Sequence, residues 1–357
     1  MRSKRWHGIL VVPAVLILVA LALAGDHPFG GRTPLPGPPV ESPRVVVAMG
    51  DSTISGEGAG DYERGTDGEH GNWCHRSSDA AIHQINLAGL DGTINLACSG
   101  APAEQVGLGR ATQYTEPSQA ERLAEIAKHN RVVAVVVAAG ANDEPGFSHV
   151  LDQCVQAWFA GGRPGCAAAI GDGWQRRVNA MVPKLTRALA DIRGALKSTG
   201  YRIEDYQLIV QSYAAPVGPN VAAGLQDLSG CPFRSEDLRW VRDTAVPTLT
   251  AGLRQAARTA DARFLDLSRA GVGREACSNA TDANREWFRR LAIQWSDLHL
   301  DDRAPHALQE SFHPNANGYA QFGRCLGEFL NTTDRAAACL AGTDGNLHAA
   351  ASPPPRI

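Results

Sequence analysis

The stretch RVVAVVVAA, from Arg131 to Ala139, restricts the fold more than any other part of this chain. Its residues never alternate with polar ones, so as a strand it must be covered on both faces. Such a strand belongs in the middle of a parallel sheet, whose neighbours are joined by crossovers, usually helices. The flanking sequence supplies both. Val45 to Met49 (VVVAM) repeats the pattern, and Thr93 to Cys98, Tyr206 to Tyr213 and Ala262 to Leu267 read as further strands, the last being the final one.

Helices alternate with these strands. Ser118 to Asn130 has a capping box in Ser118 and Glu121, with Leu123, Ile126 and Ala127 on one face. Trp174 to Lys197 carries Val178, Met181, Leu185, Leu189, Ile192 and Leu196 at spacings of three and four. Glu236 to Arg258 reads as a helix interrupted at Pro247, Ala80 to Leu90 as a shorter one, and a last helix runs to about Leu330. Asp152 to Ile170 shows little periodicity and is expected to be a disulfide-pinned excursion near the substrate rim. Alternating strands and helices indicate an α/β sandwich around a parallel sheet. No internal repeat, dinucleotide fingerprint or phosphate loop interrupts the pattern.

The ends of the chain are different in kind. MRSKRWHG is basic, and Ile9 to Ala24 is an uninterrupted apolar run ending in Ala-Leu-Ala, the layout of a secretory signal peptide over residues 1–25. An uncleaved membrane anchor is the alternative reading of the same run. Residues 26–43, rich in Pro and Gly, are expected to be a linker, 44–340 the folded domain, and 341–357 a disordered tail. Eight cysteines, at 74, 98, 154, 166, 231, 277, 325 and 339, form no C-x-x-C pair. In an exported chain an even number favours disulfides over metal or redox chemistry, and pairing in sequence order is the simplest of many connectivities. A net charge of −3 gives no electrostatic reason to expect a nucleic-acid partner. His75 and His83 lack a ligand at metal spacing and are read as surface or loop-packing residues.

Three of the strands stop at residues that chemistry can use. Val45 to Met49 ends at Gly50-Asp51-Ser52, followed by glycines at 56, 58 and 60. A serine at a strand tip is a candidate nucleophile, although it also serves simply to cap a helix. Thr93 to Cys98 ends near Gly100, and Arg131 to Ala139 ends at Gly140-Ala141-Asn142-Asp143. Either could be a turn and nothing more. The first site is not a G-x-S-x-G elbow, because Thr53 and Ile54 follow the serine. Near the end of the domain stands Ser311-Phe312-His313-Pro314-Asn315.

Taken in order, these four blocks resemble the SGNH, or GDSL, hydrolase superfamily, in the form found in secreted bacterial lipases and esterases. The resemblance spans Val45 to about Leu330. It implies a flavodoxin-like three-layer α/β/α sandwich with a roughly five-stranded parallel sheet and no metal or organic cofactor. It also implies Ser52 as nucleophile, His313 as general base, and an oxyanion hole of the Ser52 N–H, the Gly100 N–H and the Asn142 side chain. Similar local bridges in secreted members imply Cys74–Cys98, Cys154–Cys166 and Cys231–Cys277, leaving Cys325 with Cys339. Each would stabilise by roughly 3 to 4 kcal/mol if unstrained.

The chain departs from the family at one point. The family's orienting carboxylate is an Asp three residues before the histidine, and here Glu310 stands there, acting through its carboxylate or ceding the role to a main-chain carbonyl. Asp297, Asp301 and Asp302 are read as loop charges. The expected activity is hydrolysis of a small-molecule or lipid ester by a secreted or extracytoplasmic monomer. The other readings are removal of O-acetyl groups from a polysaccharide and, with a different kind of function, a non-catalytic envelope binding protein.

Overall fold

A computed structural model of the protein describes residues 37–161, 164–295, 297–301 and 303–351. The basic-then-apolar run before residue 25, linker residues 26–36 and Asp302 lie outside the described residues. No described helix is long and apolar enough to cross a membrane.

A seven-stranded sheet in the order β2-β1-β3-β4-β5-β6-β7 forms the centre. Its first five strands are β1 (Arg44–Gly50), β2 (Gly92–Asn95), β3 (Arg131–Ala138), β4 (Gln207–Gln211) and β5 (Arg263–Asp266). All are parallel to their neighbours. β1 and β3, the two continuously apolar runs, lie side by side in the interior and are buried from Val45 to Gly50 and Ala134 to Ala138. The helices, in chain order, are α1 (Ser52–Ser55), α2 (Ala103–Val106), α3 (Gln119–His129), α4 (Phe147–Ala160), α5 (Cys166–Ser198), α6 (Ser235–Trp240), α7 (Val246–Thr259) and α8 (Ala316–Leu330). α5 packs between α3 and α7, which lie against the sheet, while α8 packs on the turn at Ala81–Gln84 and on the far strands.

Two strands lie beyond the expected five. β6 (Ala336–Ala341) continues the parallel order after β5, and β7 (Leu347–Ala351) closes the sheet antiparallel to β6. The expectation of a disordered tail over 341–357 is therefore corrected for residues 341–351, and 352–357 lie outside the described residues: Leu347 is fully buried, and the Glu328 carboxylate of α8 accepts from the Ala349 N–H at 2.9 Å. The alanine-rich AAACLA and LHAAA lack the β-branched residues that announce a strand.

Local readings are corrected too. Asp152 to Ile170 is mostly helix, comprising the end of α4 and the start of α5. α4 begins at Phe147, five residues before this segment, so reading from Asp152 cuts off Phe147, Val150 and Leu151, which with Cys154 and Val155 make up its apolar face. Ala80 to Leu90 holds only a one-turn 3₁₀ helix, Ala81–Gln84. α8 crosses it so closely that a Cβ on Gly323 would sit 2.5 Å from the Ala81 carbonyl oxygen. The helix around Pro247 is interrupted by a π turn at Val241–Ala245, after which the proline falls in the first turn of α7, where its missing N–H costs nothing.

The four disulfides run in sequence order: Cys74–Cys98, Cys154–Cys166, Cys231–Cys277 and Cys325–Cys339. The first ties the loop after α1 to the end of β2, and the last ties α8 to β6.

Candidate active site

Ser52 owes its position to the way β1 ends. Gly50 has φ +137°, and a Cβ there would lie 1.8 Å from the Ala138 carbonyl oxygen of β3, so only glycine lets the strands stay together at this point. The Gln119 side chain of α3 clamps the turn, accepting from the Gly50 N–H at 2.7 Å and donating to its carbonyl at 2.9 Å. Asp51 then caps α1 by accepting from the Thr53 N–H at 3.1 Å, and it takes a 2.6 Å hydrogen bond from the Tyr213 hydroxyl beyond β4. Burial pushes the Asp51 carboxyl up to about 6, against the pull of these hydrogen bonds. Ser52 is the first residue of α1.

His313 arrives from the other end of the chain, in the turn that leads into α8. Its Nε2 lies 2.8 Å from Ser52 Oγ. Phe312, before it, sits in the left-handed region at φ +61°. Gly58 leaves room behind the ring, since a Cβ there would meet the His313 Cβ at 2.9 Å and the Pro314 carbonyl at 2.8 Å. Burial holds the imidazolium below its ordinary pKa, which leaves a free base at neutral pH.

The other side of the ring departs from expectation. His313 Nδ1 faces the main-chain carbonyls of Ser311 and Gln309 but closes no well-formed hydrogen bond among the described residues. The Glu310 carboxylate is directed elsewhere: it accepts from the Tyr62 hydroxyl at 2.7 Å and from Gln294 Nε2 at 3.2 Å, and it pairs with Arg289 at 3.3 Å. The reading of Glu310 as the orienting carboxylate is corrected on this point. In the tight turn 309–313 the His313 N–H closes on the Glu310 carbonyl, and among the described residues no hydrogen bond or ion pair joins the Glu310 carboxylate to the His313 ring.

Gly100 (φ +77°) and Asn142 line the same cavity as Ser52 and His313. Among the described residues no acceptor takes the main-chain N–H of Ser52 or of Gly100. Asn142 Nδ2 makes only a long 3.5 Å contact to the Ala101 carbonyl. The cavity holds about 560 Å³, and its walls are largely apolar, with Phe147, Leu151 and Val155 of α4 facing Leu267, Phe288 and Leu291.

Several residues around the site carried no sequence signal. His75, expected at the surface or in loop packing, is buried, and its Nδ1 lies 2.8 Å from the carboxylate of fully buried Glu57. Tyr62 stacks on His75 at 4.2 Å. His83 is half-buried, with Nδ1 2.7 Å from the Thr93 hydroxyl. Asp297, read as a loop charge, is almost buried and pairs with Arg303 at 3.0 Å. Among the described residues one cluster has metal-like spacing, Cys154, Cys166 and Asp237; its sulfurs are joined in a disulfide, and Asp237 accepts from the Ala167 N–H.

Comparison with known proteins gives the family and the fold. The model of the GDSL-like lipase/acylhydrolase family matches residues 48–321. Among solved structures, the chain resembles an extracellular lipase from Streptomyces rimosus (22% identity, TM-score 0.53) and phospholipase A1 from Streptomyces albidoflavus NA297 (20% identity, TM-score 0.53). Each likeness covers 77% of this chain and 94% of the other. No curated protein sequence matches.

Proposed function

This chain belongs to the GDSL-like lipase/acylhydrolase family and hydrolyses esters, and from that premise we propose that it is a secreted serine lipase or esterase whose acyl-enzyme forms on Ser52. The observation that carries the mechanism is the 2.8 Å approach of His313 Nε2 to Ser52 Oγ. As Oγ attacks the ester carbonyl, Nε2 takes its proton; when the tetrahedral intermediate collapses, the same nitrogen returns it to the leaving alcohol. Water then repeats the cycle on the acyl-enzyme. The untaken N–H groups of Ser52 and Gly100, with Asn142 Nδ2, receive the developing oxyanion.

With the Glu310 carboxylate turned away, this is a Ser–His dyad. The carbonyls of Ser311 and Gln309 face Nδ1, favour the tautomer that carries its proton there, and stabilise the imidazolium as it forms.

The walls support the substrate class. An apolar cavity of about 560 Å³ lies within the roughly 300–1,000 Å³ of pockets that enclose a small ligand. It suits a medium-length acyl chain better than an acetyl group on a hydrated glycan. Four disulfides, with the basic-then-apolar leader of the sequence, support export to an oxidising compartment.

The test is a series of p-nitrophenyl esters from acetate upward, run on the purified protein and on Ser52→Ala. We expect kcat/KM to peak at medium chain length and Ser52→Ala to lose several orders of magnitude. Equal turnover by the variant defeats the mechanism, and a maximum at acetate favours the O-acetyl esterase reading instead.

A further inference from the structure

We propose that Glu57, charged and paired with His75, is a positioning residue for His313: it does from the nucleophile's own loop what a triad carboxylate does from the histidine's. This rests on the Ser52–His313 reading above. Glu57 is fully buried five residues past Ser52. A charge there is tolerated only when every lone pair is engaged, and two of its partners, Gln309 and Tyr319, lead to the site. One oxygen lies 2.8 Å from His75 Nδ1, and the other accepts from Gln309 Nε2 at 2.8 Å. Its main-chain carbonyl accepts from the Tyr319 hydroxyl of α8 at 2.9 Å, a hydroxyl that also reaches the Ser52 carbonyl at 3.3 Å.

Gln309 is the mechanical link. Its side-chain amide is held by Glu57 and by the Trp73 carbonyl at 3.2 Å, while its own main-chain carbonyl is one of the two that face His313 Nδ1. Releasing that amide loosens the turn that aims the ring.

The electrostatic link runs the same way. The Glu57 charge acts on His313 to favour its imidazolium, the form that appears as Ser52 attacks, and its pull is larger than the opposing push of the His75 imidazolium paired with it. Glu310, by contrast, is paired with Arg289. The remaining ionisable groups around Glu57 are Tyr62, which bridges it to Glu310, Tyr114 and His306 on the cavity side, and Asp67, which faces His75 Nε2 at 3.3 Å and also lies near Arg303. Of this group Glu57 alone combines full burial with a hydrogen bond into the 309–313 turn.

A merely structural Glu57–His75 pair would affect folding and leave the chemistry of the surviving enzyme untouched, so the test reads kinetics. Glu57→Gln keeps the shape and an oxygen for Gln309 but removes the charge. We expect kcat to fall roughly 10- to 100-fold with KM within about twofold, as for second-layer partners of active histidines. The acid limb of kcat/KM should move to lower pH, because losing a negative neighbour lowers the His313 pKa and activity requires the free base. Glu310→Gln is expected to leave that limb in place. Unchanged kcat and limb in Glu57→Gln, or an equal shift in both variants, overturns the proposal. Should Glu57→Gln fail to fold, Gln309→Leu takes its place, with the same fall in kcat expected and an unchanged kcat overturning the proposal. Wild-type protein that does not label at Ser52 with a fluorophosphonate would instead reject the parent mechanism, so the two failures are distinct.

Discussion

Asp51 stands one residue from the proposed nucleophile, fully enclosed, and its ionisation works against the fold. Burial raises its carboxyl to about 6 in the folded protein from 3.8 in the open chain. A raised carboxyl contributes stability below the unfolded value and loses it as pH climbs through the folded one. At about 1.4 kcal/mol per unit, a shift of about two units makes the total loss about 3 kcal/mol, most of it between pH 4 and 6. Asp51→Asn cannot titrate, so its stability relative to wild type should improve steadily across that window in urea melts taken at stepped pH. Parallel curves would mean that Asp51 is not perturbed. The same residue shows what a sequence can and cannot disclose. Ser52, Gly100, Asn142 and His313 could be found because each follows the abrupt end of an apolar run or stands in a fixed local string. Glu57, Tyr62 and His75 could not, since they meet only when the long connection between β1 and β2 folds back on itself. Glu310 misled because a distance of three residues along the chain does not tell which way a side chain in a tight turn will point.

α4 shows the same limit at the level of an element. Its apolar face, Phe147, Val150, Leu151, Cys154 and Val155, is one stripe that starts ahead of Asp152, so a reading that opens at Asp152 sees only its second half; one edge of the stripe enters the core and the other lines the cavity. The Cys154–Cys166 bridge binds it to the start of α5, so this wall stands on a fixed support. A wall that sets acyl length can be moved by one side chain without disturbing the catalytic residues. Leu151→Trp adds bulk to the cavity face of a residue outside the fully buried core. We expect kcat/KM for the longest p-nitrophenyl esters to drop at least about tenfold while the acetate ester stays within about twofold, because extra volume is penalised only where the ligand competes for it. A uniform decrease along the series would instead show that α4 is not the acyl wall.

Across the whole molecule, the proposed catalytic pair joins the end of β1 to the turn before α8, so the strands that hold α8 bear on the geometry of the site. α8 starts three residues after His313, and it is held by β7 on the side away from the site: Gln321 accepts from the Leu347 N–H at 2.9 Å, Glu328 accepts from the Ala349 N–H, and Cys325 is bridged to Cys339 of β6. Ending the chain after Ala341 would remove β7, expose the outer edge of β6 and uncover the face of α8 that Leu347 seals. Losing that one buried leucine forfeits about 2 kcal/mol, and the hydrogen bonds of the β6–β7 ladder add to it. For a domain of this size each kcal/mol corresponds to roughly 2–4 °C, so the truncated protein should melt roughly 5–10 °C lower. None of the removed residues lines the cavity, so KM at 25 °C should not change. An unaltered melting temperature would mean that α8 and the His313 turn hold without β7, and that the sheet is complete at β6.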